Sequence, residues 1–259
     1  MYLWKAWHDS RSRVMLYILA ALSVGVLFGL NVMTWANWHA YWETFYPARR
    51  LPPVFNYDFY MVITFWMLDW VVLHYGQIVA LLTGLSLGAS SVGREYGAGT
   101  MNFVLTRPGP RRNFVLTDWT VGLTGMVIIL SGLAFPLLPF LRAVHAKGPG
   151  NILAGLPALW VLGAAVYGLS HFTTLVAGSA PKGLTLSAAT ILTYGFLPTA
   201  LHEWWHTDAL LRAVEWTLRG VMYDAWPLSP FDWGATVFWL AVAVGFLGAS
   251  LAWIRFREV

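Results

Sequence analysis

The chain contains no cysteine, and only 11% of its 259 residues are Asp, Glu, Lys or Arg. The first absence excludes a disulfide framework, a thiolate metal site and a cysteine nucleophile, and it leaves the redox compartment undetermined. The second excludes an ordinary soluble domain, in which about a quarter of the residues are charged. Also missing is the phosphate-cradling loop G-x-x-x-x-G-K-[ST], and no other nucleotide fingerprint stands in a soluble block. The chain therefore has no means of hydrolysing ATP by itself. No repeat relates its two halves, and no tract is of low complexity. What is there is oil: 58% of the residues are hydrophobic, and the 16 tryptophans and 11 tyrosines suit an interfacial belt at headgroup level. An all-α polytopic membrane protein follows, with residues 1–259 as a single transmembrane domain.

Six charge-poor runs are long enough to approach or exceed the roughly 30 Å hydrocarbon core. They are 14–34, 59–93, 114–141, 153–178, 184–201 and 233–254. The first follows Lys5, Arg11 and Arg13 and resembles the start of a signal peptide, but its apolar run is too long and no small-x-small cleavage site follows, so it reads as a retained anchor. The second holds one charged residue, Asp69, over 35 positions, and as one helix would be about 52 Å long, so it should protrude from the bilayer. Pro136 and Pro139 should kink or end the third. A tight turn is expected at 179–183, Ser-Ala-Pro-Lys-Gly. Between spans five and six, Ala209, Leu210, Leu211, Val214, Trp216 and Leu218 recur at near-helical spacing with Arg212, Glu215 and Arg219 between them, which suits a helix lying on the membrane surface. The aromatic-rich stretch from Trp35 to Asp58 should likewise lie along the outer interface.

Six spans place both termini on one side. That side carries Lys5, Arg11, Arg13, Arg94, Arg107, Arg111, Arg112, Lys182, Arg255 and Arg257, ten cations against the six of the other side. The excess marks it as cytoplasmic. Residues 1–13 are then a cytoplasmic interface segment, and 94–113 a cytoplasmic loop in an inner (cytoplasmic) membrane.

That loop reads REYGAGTMNFVLTRPGPRR over residues 94–112, the densest run of charge and glycine in the chain. Four arginines enforce topology, but they do not explain the order Glu95-x-x-x-Gly99-Thr100, then Phe103-Val104-Leu105, then Pro108-x-x-Arg111. A short helix ended by a proline turn would present Arg94 and Glu95 to one side as a docking knob. The stretch resembles the cytoplasmic loop of ABC transporter permeases of the type 2 export class, whose usual pattern is Glu-x-x-x-Gly-Thr-Leu, a Leu-Leu pair, then Pro-x-x-Arg. The resemblance implies that the region from Glu95 to Arg111 forms a coupling helix and turn between spans two and three, with Arg94, Glu95, Gly99, Thr100, Arg107, Pro108 and Arg111 facing a separate ATPase subunit. It further implies two copies of that ATPase, which bind the ATP and Mg, a second permease subunit, identical or not, and short interfacial or re-entrant helices between spans five and six that cap the pathway. Membrane lipid is the remaining partner; no nucleic acid and no cofactor of the chain's own are expected. Met101 replaces the usual leucine, and Thr117-Asp118 stands where the family commonly has Gly-Lys. The Gly84-x-x-x-Gly88 spacing permits close helix contact, of the kind used in dimers.

A rival motif is HEWWH, where His202 and His206 would share a helix face to hold zinc and Glu203 would act as general base of a metalloprotease. A third protein ligand has no recognised place; Asp208, Glu215, Asp224 and Asp232 are the candidates, and the two tryptophans also fit an interfacial belt at the end of span five. Asp69 is either a pathway residue inside the membrane or a surface residue on a protruding helix. His74 and His171 raise a two-histidine haem site, against which stands the commoner use of histidine in an internal hydrogen bond. Asp118 reads as an N-terminal cap of span three, favoured by the helix dipole.

Overall fold

Prolines and glycines set where the helices begin and stop. The computed structural model describes residues 2–45, 75–102, 111–146, 153, 155–205, 212 and 233–256. In it the first helix, α1, runs Tyr2–Phe45 without a break and ends two residues before Pro47. At 44 residues it is about 66 Å long, and residues 2–13 form its first turns, continuous with the apolar part that follows. At the other end, the part of the expected outer loop from Trp35 to Phe45 is also helical, because Trp, Asn and His carry no helix-breaking chemistry and the first proline comes only at position 47. The next helices are α2 (Gly76–Gly97), α3 (Arg112–Ala134) and α4 (Leu137–Ala143). The expected third span is the α3–α4 pair: Pro136 lacks an N–H, and the ladder shifts around it with Phe135 N–H donating to Ser131 O at 3.0 Å and Leu138 N–H to Phe135 O at 3.2 Å. α5 (Leu156–Ala177) ends on Gly178 in the left-handed conformation, φ 67°. α6 (Ala180–Trp205) starts almost at once. The turn is therefore shorter than 179–183: Pro181 lies in the first turn of α6, where its missing N–H has no partner to lose. α7 (Trp233–Phe256) completes the described chain.

No strand occurs among the described residues. Five helical segments among them are long and apolar enough to cross a membrane: Ser10–Asn37, Gly76–Gly97, Arg112–Ala143, Leu156–Ala177 and Gly234–Phe256. The molecule is a helical, multi-pass membrane protein. α5 is the most enclosed of these spans and packs on α2, α3, α6 and α7, while α1 rests mainly on α3. The outer side of α1 exposes Leu16, Leu19, Leu27 and Leu30, and α7 exposes Val237, Leu240 and Val244. Such faces match lipid. Exposed hydroxyls on these surfaces are satisfied inside their own helices, as lipid requires: Ser23 donates to Leu19 O, Thr120 to Leu116 O and Thr190 to Leu186 O.

The small residues of the Gly84-x-x-x-Gly88 spacing are used within the chain. A Cβ on Gly88 would lie 2.5 Å from Tyr167 O, and one on Gly84 would lie 3.0 Å from Val166 Cγ1. Ser170 Oγ also donates to Leu85 O at 2.8 Å across the same contact. This face joins α2 to α5 and is not open to a second subunit.

Candidate functional site

Helix α2 closes on a Schellman cap. Gly99 occupies the left-handed position at φ 67°, Thr100 N–H donates to Glu95 O at 2.9 Å, and Gly99 N–H donates to Tyr96 O at 3.1 Å. These are the 6→1 and 5→2 bonds of that motif, and the left-handed residue is where glycine is favoured. The spacing Glu-x-x-x-Gly-Thr is thus capping arithmetic. The glutamate is the carbonyl that receives the returning chain, the glycine makes the reversal, and the threonine supplies the returning N–H. The side chains repeat the link, since Thr100 Oγ1 donates to Glu95 Oε2 at 2.5 Å.

Glu95 does not project outward as a docking knob. It belongs to the last turn of α2, is 7% exposed, and its other carboxylate oxygen, Oε1, receives Lys5 Nζ at 2.6 Å. Lys5, missed in the sequence, comes from the first turns of α1 and is itself half exposed. Its only sequence signal is its place in a basic, aromatic N-terminal stretch. Tyr96 adds a third tie, its hydroxyl donating to Leu175 O of α5 at 3.0 Å. Arg94 also turns back rather than outward: Nε donates to Ser90 O at 2.9 Å, while Nη1 is buried. Among the described residues between the last turn of α2 and the first of α3, those exposed to water include Gly97, Ala98 and Gly99 and, at the start of α3, Arg112 and Asn113.

The ends of several helices meet here. Lys5 brings the start of α1 to the end of α2, a Cβ on Gly93 would lie 2.3 Å from Ala180 Cβ at the start of α6, and the cavity between α1 and α2 is also lined from α3 by Asp118. Asp118 is not an N-terminal cap. Helix α3 begins at Arg112, so Asp118 stands nearly two turns inside it, buried, with its main-chain oxygen accepting Tyr167 OH at 2.9 Å. Below this lies an aromatic layer: Trp119 meets Tyr167 edge-on at 5.5 Å between ring centroids, and His171 lies 5.9 Å from Tyr167. His171 is fully buried with Nδ1 3.3 Å from Ser250 Oγ, which ties α5 to α7 by an internal polar contact.

Of the expected site residues, Arg94, Glu95, Gly99 and Thr100 lie together in this cap, and Arg111 is the residue before α3. Arg107, Pro108, Asp69, His74 and His206 lie outside the described residues. His202 and Glu203 fall in the last turns of α6, so two of the three HEWWH site residues lie within the described helix and the third, His206, lies outside it. Among the described residues no group of three or more His, Cys, Asp or Glu is placed to hold a metal ion. Comparison with known proteins adds no relative: no family profile, no curated protein and no solved structure matches this chain.

Proposed function

We propose that this chain is the permease subunit of an ATP-driven exporter of the ABC type 2 class, working as a dimer with two copies of a separate cytoplasmic ATPase that carries the ATP and Mg. In this reading α6 also spans the membrane, as the fifth of six spans, both termini are cytoplasmic, and the chain is not itself an enzyme. The observation that carries the reading is the capped turn at the end of α2. It joins two membrane-spanning helices, is pinned by Lys5, Thr100 and Tyr96, and leaves the Gly97-Ala98-Gly99 backbone open to a partner.

A rigid turn suits a lever. Pressure on the turn would move α2, and because α2 and α5 pack through Gly84 and Gly88 the two would move together. ATP on the partner would favour one of two arrangements of these helices, which is all that a ligand can do to a conformational equilibrium. The test is purification of the tagged chain from its own host in mild detergent. A co-purifying protein with magnesium-dependent ATP hydrolysis supports the reading, and a chain isolated alone with one zinc per molecule overturns it in favour of the His202-Glu203-x-x-His206 protease.

A further inference from the structure

A cavity of about 20 Å³ lies just inside the bundle from the capped turn, lined by Ser10 and Val14 of α1, Ser90, Ser91 and Arg94 of α2, Asp118 and Gly122 of α3, and Tyr167 of α5. Its volume suits one water molecule, which needs roughly 10–15 Å³ and two to four polar partners. The polar groups are not of one kind. Arg94 Nη1 is a buried donor with no hydrogen-bond partner among the described residues. The hydroxyls are already donating elsewhere: Ser10 to Ala6 O at 2.6 Å, Ser90 to Leu87 O at 3.2 Å, Ser91 to Gly88 O at 3.0 Å and Tyr167 to Asp118 O at 2.9 Å. Each hydroxyl oxygen keeps lone pairs, and the carboxylate of Asp118 only accepts. The wall therefore combines one charged donor with several acceptors. A bare cation would meet the guanidinium and a bare anion the carboxylate, whereas water can accept from one and donate to the other.

We propose that this cavity holds one ordered water that bridges the Arg94 guanidinium to the Asp118 carboxylate, and that the bridged pair locks the end of α2 to α3 within a shell of α1 and α5. The function of such a lock is conformational. Two opposite charges held inside a membrane bundle are costly to separate, so α2 and α3 keep their register at this end unless bulk solvent floods the cavity and replaces the single bridging water. The inference stands on packing and hydrogen-bond chemistry and does not depend on the exporter reading, because its test needs neither ATP nor a partner.

Two measurements on the purified full chain decide it. In X-ray radiolytic hydroxyl-radical footprinting, the radiation splits a bound water and generates radical in place, so Tyr167, which is fully buried, should be oxidised as readily as an exposed tyrosine. In a thermal double-mutant cycle, Arg94→Met and Asp118→Asn should each lower the unfolding midpoint, and the double variant should regain at least half of the larger loss, because no lone charge is left inside. Both results together support the proposal. An unlabelled Tyr167 overturns the water bridge, and additive losses in the cycle overturn the lock. Should the single variants fail to fold, the footprinting of the unaltered chain still decides the first part, and Ser91→Val, which narrows the cavity, should abolish labelling of Tyr167.

Discussion

Gly97 and Gly99 stand two residues apart on the same exposed turn, yet alanine should move stability in opposite directions at the two sites. Neither position has any atom within 4 Å of a built Cβ, so packing drops out of the comparison and only backbone conformation remains. Gly97 is the last residue of α2, where replacing glycine by alanine removes unfolded-state freedom and is worth about 0.5–1 kcal/mol. Gly99 sits at φ 67°, where a Cβ crowds the following carbonyl at a cost of about 1–2 kcal/mol. The difference between the variants is then roughly 1.5–3 kcal/mol, or several degrees in unfolding midpoint for a chain of this size at about 2–4 °C per kcal/mol. Tryptophan fluorescence during a thermal ramp in detergent reads it, with Gly97→Ala raised and Gly99→Ala lowered. Gly99→Asn should fall between Gly99→Ala and the parent, since asparagine tolerates the left-handed region. Equal shifts in the two alanine variants, or a stabilised Gly99→Ala, would refute the capping account of the Glu-x-x-x-Gly-Thr series.

Three further expectations follow from the same geometry. Gly88→Ala places a Cβ 2.5 Å from a backbone oxygen of α5 and should cost about 1–3 kcal/mol or more, seen as a low yield of monodisperse protein on size-exclusion chromatography, while Gly195→Ala, inside α6 with no atom within 4 Å of a built Cβ, should give a yield no lower than that of the parent. The Lys5–Glu95 pair has one half-exposed partner, so a thermal double-mutant cycle of Lys5→Met and Glu95→Gln should give a coupling of no more than about 1 kcal/mol; a far larger value would mean that the pair is sealed from solvent. Glu203→Gln should leave the activity and metal content of the purified protein unchanged, and loss of a bound zinc on that change would favour the protease reading.

Five of the six expected spans match described helices long and apolar enough to cross a membrane, because hydropathy and length carry them, and the break in the third was legible because proline removes a specific hydrogen bond. The Glu95-to-Thr100 order was legible as a motif, but not as a cap, since φ at Gly99 appears only in the folded backbone. Lys5 could not be paired with Glu95 from sequence, because 90 positions separate them and nothing local marks the contact. A comparably long separation in sequence hid the partner of Gly84 and Gly88, whose spacing fits a second subunit as well as it fits α5. Asp118 was misplaced for a different reason: the start of span three was set by where the apolar run begins, whereas the helix begins earlier, in the polar Arg112-Asn113. Because Glu95 turns inward, it is a poor position from which to probe coupling. Glu95→Arg would press a second cation against Lys5 and disturb the cap itself, so Ala98, exposed and outside these bonds, is the cleaner position.

The absence of cysteine makes the most direct test of the central claim available. Ala98→Cys supplies a single thiol on the exposed turn, and a short bifunctional crosslinker applied to membranes of the host should join it to one soluble protein that mass spectrometry identifies as an ATPase, with a yield that changes when ATP is added. Crosslinking confined to a second copy of the chain, or to no protein at all while the thiol remains reactive to a small maleimide, would contradict the claim that this turn is where the chain meets its motor.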